Sequence, residues 1–331
     1  MSEPSWGEAR REVEDLLIGG DRTLRRADVA DRAGVSLEQT GRLWSALGFP
    51  RVADDVEAFA ESDLDALSYV EDLLAQDAFD EGEALAIART LGQSMARLAE
   101  WQANLLRRVI ADRGTADDPA AVVDSVRSLV PLIEKLQAYT WRRHLLVTAG
   151  RMMSALASEE GEEDDGRTSS AAVGFADIVG FTSLSRRIDS DELRALLERF
   201  EGVSNDVVSR FGGRIVKTLG DEVLFVCGDA SSACEIAFAL HDEVPDPDDR
   251  LALRVGLAYG DVLPRYGDVY GPTVNIASRL TSHARPGTTL LDDEMTDAVR
   301  ASDLDVDLRS VPALHVRGYK HLKPHVARRR S

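Results

Sequence analysis

Residues 213–228 read GRIVKTLGDEVLFVCG, and this stretch decides the predicted fold of the second half of the chain. Segments 213–219 and 222–228 are rich in apolar and β-branched residues, and Gly220-Asp221 separates them. A Gly-Asp pair between two such segments is typical of the tight turn of a β-hairpin. The stretch therefore predicts two antiparallel strands.

The segments on either side predict alternating helices and strands. We expect a buried strand over 171–178 and a helix over 190–211, with Ser190 as its N-cap. After the hairpin we expect a helix over 230–243 and a strand over 251–259. The order β-α-β-β-α-β is that of a ferredoxin-like α+β domain.

An acidic segment divides the chain. Residues 158–166, SEEGEEDDG, include six acids and no apolar side chain, so they cannot pack into a core. Before this segment, apolar residues recur at spacings of three and four, which indicates helices. We therefore expect an all-helical domain over 1–157, an acidic linker over 158–170 and the α+β domain over 171–331.

The composition argues against several classes of function. The 331 residues include 39 basic and 58 acidic side chains, for a net charge of −19. Nucleic acids and anionic membranes attract Lys and Arg, so neither is an expected partner. Cys227 and Cys234 match no zinc or redox spacing. The sequence shows no signal peptide and no membrane-spanning segment, which predicts a soluble, cytoplasmic protein.

Two aspartates are expected at neighbouring strand ends. Asp177 lies at the end of the strand over 171–178, and Asp221 lies in the hairpin turn. In a βαββαβ sheet the end of the first strand lies beside the hairpin, so the two carboxylates would meet at one edge. Two close carboxylates favour a hard cation such as Mg²⁺. Taken alone, each aspartate is better explained as a turn or capping residue.

Three motifs occur in a fixed order: FADIVGFT at 175–182, KTLGDEVLF at 217–225 and GDVYGPTVNIASRL at 267–280. Together they resemble the catalytic domain of the class III nucleotidyl cyclases, over about 171–325. Three motifs in register are far more specific than one short match. The resemblance implies an enzyme. The alternative is a DNA- or ligand-binding regulator whose cyclase fold only senses a nucleotide, and an intact set of catalytic residues argues against it.

The resemblance assigns roles to residues of this sequence. Asp177 and Asp221 would hold two Mg²⁺ or Mn²⁺ ions, with the backbone carbonyl of Ile178 as a further ligand. Asn275 and Arg279 would orient the ribose and stabilise the transition state. Their i, i+4 spacing places both on one face of a helix, which supports joint action.

Lys217 and Asp268 match the family's purine-reading pair. Lys can only donate hydrogen bonds, and an ionised Asp can only accept them. Adenine offers an acceptor at N1 and a donor at its 6-amino group, whereas guanine reverses that edge. The pair therefore predicts ATP as the substrate, converted to 3′,5′-cyclic AMP and pyrophosphate by attack of the ribose 3′-OH on the α-phosphate.

Two basic residues near the C-terminus are further candidates. Arg317 and Lys320 lie in VRGYKHLK at 316–323 and would contact the phosphates, or belong to a solvated basic tail; the sequence does not separate these alternatives. No GxxxxGK[ST] motif occurs, so the triphosphate is not held by a P-loop.

The family builds each site from two chains, with the metal aspartates on one and the purine-reading residues on the other. This sequence carries a single catalytic domain with both sets. The resemblance therefore implies a head-to-tail homodimer with two composite sites and an inactive monomer.

The helical half resembles the N-terminal domain of the mycobacterial pH-sensing adenylyl cyclases, in which this domain is autoinhibitory. The similarity includes residues 139–156, where His144 is either a pH sensor or an exposed helix histidine. The resemblance also implies a fatty acid as a ligand of this half. Residues 23–49 have the pattern of a helix-turn-helix. Between DNA binding and a helical packing unit, the net acidity favours packing.

Overall fold

A computed structural model describes residues 5–75, 79–158, 169–245, 251–316 and 319–330. The chain divides into two units, Met1–Glu160 and Gly161–Ser331. Most of the expected linker over 158–170 lies outside the described residues. Ser169 and Ser170 are part of a strand rather than of the linker, because they pair with Val262 and Asp261. No helix in the described ranges is long and apolar enough to cross a bilayer.

The first unit is helical throughout its described elements. Its helices are α1 (Trp6–Ile18), α2 (Arg26–Ala33), α3 (Leu37–Ala46), α4 (Glu61–Ala75), α5 (Glu81–Asp112) and α6 (Pro119–Ser158). The core around α2 and α3 includes Val29, Leu43, Phe59 and Leu67, all buried. This confirms the all-helical architecture expected before the linker.

The predicted helix-turn-helix corresponds to α2 and α3. Gly34 ends α2 in the left-handed conformation at φ 73°, which a residue with a Cβ rarely adopts, and Ser36 caps α3. Four arginines of the segment form ion pairs with carboxylates of the same unit: Arg25–Glu57, Arg26–Asp54, Arg32–Glu61 and Arg42–Glu81. Guanidinium groups that are already paired with carboxylates attract the phosphates of DNA only weakly. The ion pairs therefore favour a helical packing unit over DNA binding.

The second unit is built on one mixed sheet. The strands of this unit, inside and outside that sheet, are β1 (Ser169–Ile178), β2 (Arg214–Leu219), β3 (Glu222–Cys227), β4 (Leu253–Arg265), β5 (Asp268–Tyr270), β6 (Thr288–Leu291), β7 (Val306–Ser310), β8 (Leu314–Val316), β9 (Tyr319–Leu322) and β10 (His325–Arg329). Its helices are α7 (Phe181–Leu184), α8 (Ser190–Arg210), α9 (Ala230–Glu243), α10 (Pro272–His283) and α11 (Asp293–Arg300).

The main sheet has the strand order β2-β3-β1-β4-β6-β10-β7, with β5 paired to β4, while β8 and β9 form a separate pair. The succession β1-α8-β2-β3-α9-β4 is the predicted βαββαβ order, which is confirmed. The strand expected over 251–259 runs further, from Leu253 to Arg265, because its last residues pair with β5. The predicted N-cap at Ser190 is wrong: the carboxylate of Asp189 accepts from the backbone N–H groups of Asp191 and Glu192.

The two faces of the sheet are covered differently. Side chains of α8 and α9, such as Phe200 and Ile236, pack on one face. On the other face, Val173 and Phe175 of β1 and Leu224 of β3 form a smaller cluster that includes Ala277 of α10. Two candidate site residues, Asp177 of β1 and Lys217 of β2, belong to this second face.

Gly256 of β4 permits the close packing of α10. A Cβ at this position would lie 2.3 Å from the backbone nitrogen of Thr281 and 2.5 Å from the carbonyl oxygen of Ala277. The hydroxyl of Thr281 donates to the carbonyl of Phe175 at 3.2 Å, which also ties α10 to β1. The position of α10 against the sheet thus requires a residue without a Cβ at position 256.

We expect Gly256→Ala to destabilise the second unit by ~2 kcal/mol, because the added methyl group would overlap backbone atoms that cannot move singly. Differential scanning calorimetry of the full chain would show this as a lower Tm. Gly228→Ala is the matched control, because a Cβ there meets no heavy atom within 4 Å. Equal Tm values for the two variants would contradict the close-packing argument.

Candidate active site

Asp177, the last residue but one of β1, lies in a row of charged side chains. It lies opposite Glu222 of β3 on one side and Arg254 of β4 on the other. Directly opposed residues of antiparallel strands point to the same face of a sheet, so the three side chains are neighbours. Asp177 is buried, and Nε of Arg254 donates to its Oδ2 at 2.5 Å.

Asp221 joins this row from the hairpin turn. Gly220 precedes it with φ 69°, a left-handed conformation that suits glycine in a tight turn. The backbone N–H of Ile178 donates to the carbonyl of Asp221 at 3.0 Å, which holds the turn against the end of β1. The structure thus brings Asp177, Ile178 and Asp221 together at one edge of the sheet.

Two carboxyls of this row, those of Asp177 and Glu222, have a raised pKa. Burial raises the pKa of Asp177; Arg254 opposes this, and the nearby Asp221 carboxylate adds to the rise. Burial also raises the pKa of Glu222, with further increases from Asp177 and Asp221. Both carboxyls therefore hold their charge less readily than they would in water.

The donor set fits a hard divalent cation. Two carboxylates and a backbone carbonyl are the oxygen ligands that Mg²⁺ and Mn²⁺ accept, and a cation would offset the repulsion within the row. Within the described residues, no group of three or more His, Cys, Asp or Glu side chains is arranged as a complete metal site. The remaining coordination positions would therefore fall to water and to phosphate oxygens, as is usual for Mg²⁺.

Lys217 and Asp268 form a second group. Nζ of Lys217 donates to Oδ2 of Asp268 at 2.6 Å, and the backbone N–H of Val269 donates to Oδ1 at 2.8 Å. Burial raises the pKa of Asp268, but the hydrogen bonds from Lys217 and Val269 outweigh burial, and the pKa is lowered overall. The carboxylate is ionised, and the pair presents one donor and one acceptor side by side.

Lys217 lies on the same face of the sheet as Asp177. It pairs with Leu224 of β3, which in turn pairs with Phe175 of β1, two residues before Asp177. Side chains at i and i+2 of a strand share a face. The purine-reading candidates and the metal candidates thus belong to one surface of the sheet.

Asn275 and Arg279 form a third group, on the exposed side of α10. In the described part of the chain, neither side chain has a hydrogen bond or an ion pair. No hydrogen bond or ion pair among those residues links the three groups to one another either. Arg317 lies outside the described residues; Lys320 lies in β9, and its side chain is not described.

Two neighbours of the metal candidates were missed by sequence reasoning, Arg254 and Glu222. Strand register sets both residues opposite Asp177, and the sequence pattern does not indicate that register. A weak signal existed for Arg254, as a charged residue inside the otherwise apolar segment 251–259. Glu222 directly follows Asp221, and the sequence pattern indicates it only as the start of a strand.

Comparison with known proteins identifies the family of each unit. Residues 164–328 match the model of the adenylate and guanylate cyclase catalytic domain, and residues 11–144 match that of the adenylate cyclase regulatory domain. An adenylate cyclase of Glutamicibacter nicotianae is 39% identical over 329 residues, covering 95% of this chain and 80% of that protein. The pH-sensitive adenylate cyclase of Mycobacterium tuberculosis is 30% identical over 293 residues, covering 86% of this chain and 72% of that protein.

Among solved structures, the adenylyl cyclase CyaB from P. aeruginosa is 22% identical, with a TM-score of 0.44, covering 50% of this chain and 97% of that one. The two family models together account for both units of the chain. The chain belongs to the adenylate and guanylate cyclase family, as a class III catalytic domain preceded by an all-helical adenylate cyclase regulatory domain.

Proposed function

We propose that the protein is an adenylyl cyclase that converts ATP to 3′,5′-cyclic AMP and pyrophosphate. The observation that carries the choice of ATP is the ion pair of Lys217 and Asp268. Lys217 donates to N1 of adenine, and Asp268 accepts from the 6-amino group. A guanine would place a donor against Lys217 and an acceptor against Asp268, and such mispaired, partly buried groups discriminate between substrates.

The other groups act on the ribose and the phosphates. Asp177, Asp221 and the Ile178 carbonyl would hold two divalent cations, which would supply activation of the 3′-OH and offset the phosphate charge. Asn275 orients the ribose so that its 3′-OH faces the α-phosphate. Arg279 stabilises the charge that develops on the α-phosphate in the transition state. Arg317 and Lys320 remain candidates for contacts to the phosphates.

We further propose that each site is composite, with groups from two copies of the chain in a head-to-tail homodimer. The separation of the three groups within one chain supports this. So does the hairpin of β4 and β5, which exposes Leu263, Tyr266 and Tyr270, with exposed fractions of 39%, 49% and 50%. Exposed large apolar side chains that lie together are typical of protein interfaces.

Helix α6 supports self-association independently. Its exposed side chains include Leu132, Leu136, Tyr139, Leu146 and Met153, each at least 60% exposed. Their spacings of three, four and seven residues follow a heptad, the pattern by which helices pair with one another.

Co-expression of an Asp177→Ala chain with a Lys217→Ala chain should restore cyclase activity. Random pairing makes about half of the dimers mixed, each with one intact site of two, so about a quarter of the wild-type activity is expected. The measurement is conversion of ATP to cyclic AMP by purified protein in Mn²⁺.

Co-expression of Asp177→Ala with Asp221→Ala is the control. Both changes damage the same set of groups, so no mixed dimer has an intact site and activity should stay at the level of the parents. The composite site would be contradicted if the first mixture were as inactive as the control.

The double variant Lys217→Glu/Asp268→Lys should invert the nucleotide preference. It keeps an ion pair between the two positions but presents an acceptor to guanine N1–H and a donor to O6. We expect the ratio of kcat/KM for ATP over GTP to fall by about 100-fold or more. Lys217→Ala, as the control, should lose activity on ATP without gaining it on GTP. An unchanged ratio of kcat/KM in the double variant would show that the pair does not recognise the purine base.

We also propose that the first unit regulates the second, in response to pH or to a bound fatty acid. The match to a regulatory domain over 11–144 and the relative named as pH-sensitive support regulation by this unit. His144 lies exposed on α6 and remains a sensor hypothesis.

A cavity of about 570 Å³ in the first unit supports the ligand proposal. Its wall includes Trp44, Phe49 and Phe59, together with Arg51 and Arg89. Neither of these arginines has an ion pair among the residues that the structure describes. An apolar wall with free guanidinium groups suits a molecule with a hydrocarbon chain and a carboxylate.

The full chain and its residues 167–331 should differ in their response to pH and to a long-chain fatty acid. We expect low pH to raise the activity of the full chain relative to the isolated catalytic unit. The catalytic unit contributes its own pH dependence, because burial raises the pKa of Asp292 to about 7, so the ratio of the two profiles is the relevant quantity. Parallel profiles, with no effect of the fatty acid on either protein, would exclude regulation by the first unit.

A further inference from the structure

We propose that Glu222 is a third carboxylate of the cation site, which strengthens divalent-cation binding by its charge and through the water molecules of the bound ions. This inference rests on the proposed function, because the proposed reaction requires divalent cations. The family resemblance assigned no role to this position.

The register of the sheet places Glu222 beside both metal candidates. Glu222 is the first residue of β3 and lies directly opposite Asp177 of β1. The Cβ atoms of such a pair are about 5 Å apart, and the side chains share a face. Asp221 is the preceding residue in the chain, so three acidic residues are neighbours at the end of β1.

Glu222 lacks a partner of its own. Its side chain is half-buried, yet no hydrogen bond or ion pair to it occurs within the described ranges. The nearest guanidinium, that of Arg254, lies on the far side of Asp177 and donates to Asp177. A half-buried carboxylate without a donor is unfavourable unless a cation compensates it.

The charge of the row indicates what would compensate it. Asp177, Asp221 and Glu222 contribute three negative charges when ionised, and Arg254 contributes one positive charge. The net charge of the row is therefore negative, whereas the stability of the fold alone would favour a neutral row. A divalent cation beside Asp177 and Asp221 would be close enough to interact with the Glu222 charge.

The geometry favours an indirect role over direct coordination. The described residues contain no group of three acidic side chains arranged around one point as metal ligands. Glu222 would instead accept hydrogen bonds from cation-bound water. Removing outer partners of this kind typically weakens metal binding by about 10-fold to 100-fold.

The test is Mn²⁺ binding to the full-length protein, followed by electron paramagnetic resonance of the free ion. Saturating 3′-deoxy-ATP would complete the site without turnover, because it lacks the nucleophilic hydroxyl. We expect Glu222→Gln to raise the Kd for Mn²⁺ by about 10-fold and Glu222→Asp to recover part of the loss. Glu201→Gln, an exposed position on α8, should match the wild type.

Thermal unfolding without added metal separates this role from a structural one. Glu222→Gln removes repulsion and breaks no hydrogen bond in the described part of the chain, so its Tm should equal or exceed that of the wild type. A lower Tm with unchanged Mn²⁺ binding would overturn the inference.

The failure of the inference can be distinguished from the failure of the proposed function. If Asp221→Ala loses Mn²⁺ but Glu222→Gln binds it as the wild type does, the inference is wrong and the proposed metal site stands. If the wild type itself binds no Mn²⁺ in the presence of 3′-deoxy-ATP, the metal-dependent function fails, and the inference fails with it.

Discussion

The hydrogen bond from the Ile178 N–H to the Asp221 carbonyl is the constraint on which the candidate site depends. It fixes the hairpin turn against the end of β1, and ten consecutive residue pairs from Ser169 to Ile178 fix β1 against β4. The backbone therefore brings like charges together and cannot relax to separate them. Arg254 relieves the repulsion in part, and a bound cation would relieve it further. In this way the stability of the sheet maintains an arrangement that is unfavourable for the side chains themselves.

Much of this arrangement was accessible from local sequence. The Gly220-Asp221 turn predicted the hairpin, and the order of apolar segments around it predicted the βαββαβ core. The carboxylate pair followed from that topology, because the end of the first strand must lie beside the hairpin. Purine recognition did not follow from local pattern, since Lys217 and Asp268 are far apart in sequence and only the family resemblance linked them.

The limits of sequence reasoning have physical causes. Arg254 and Glu222 acquire their neighbours from strand register, and register depends on pairing between segments that the sequence does not align. The cap at Asp189 rather than Ser190 reflects the stronger hydrogen bonds of a charged acceptor to the exposed N–H groups of a helix start. The extension of β4 to Arg265 depends on β5, a strand of three residues that is too short to show a periodic pattern.

The ion pair of Lys217 and Asp268 has a consequence for substrate binding. Lys217 Nζ donates to Asp268 Oδ2 at 2.6 Å, so this internal contact would compete with a purine base at the proposed recognition site. An incoming base must displace this contact and replace it on both sides. Adenine can do so in the proposed roles, whereas a base that satisfies only one group leaves the other without its former partner. The cost of displacing this contact would lower the affinity for the adenine nucleotide. The same cost would strengthen the discrimination against a base that satisfies only one of the two groups.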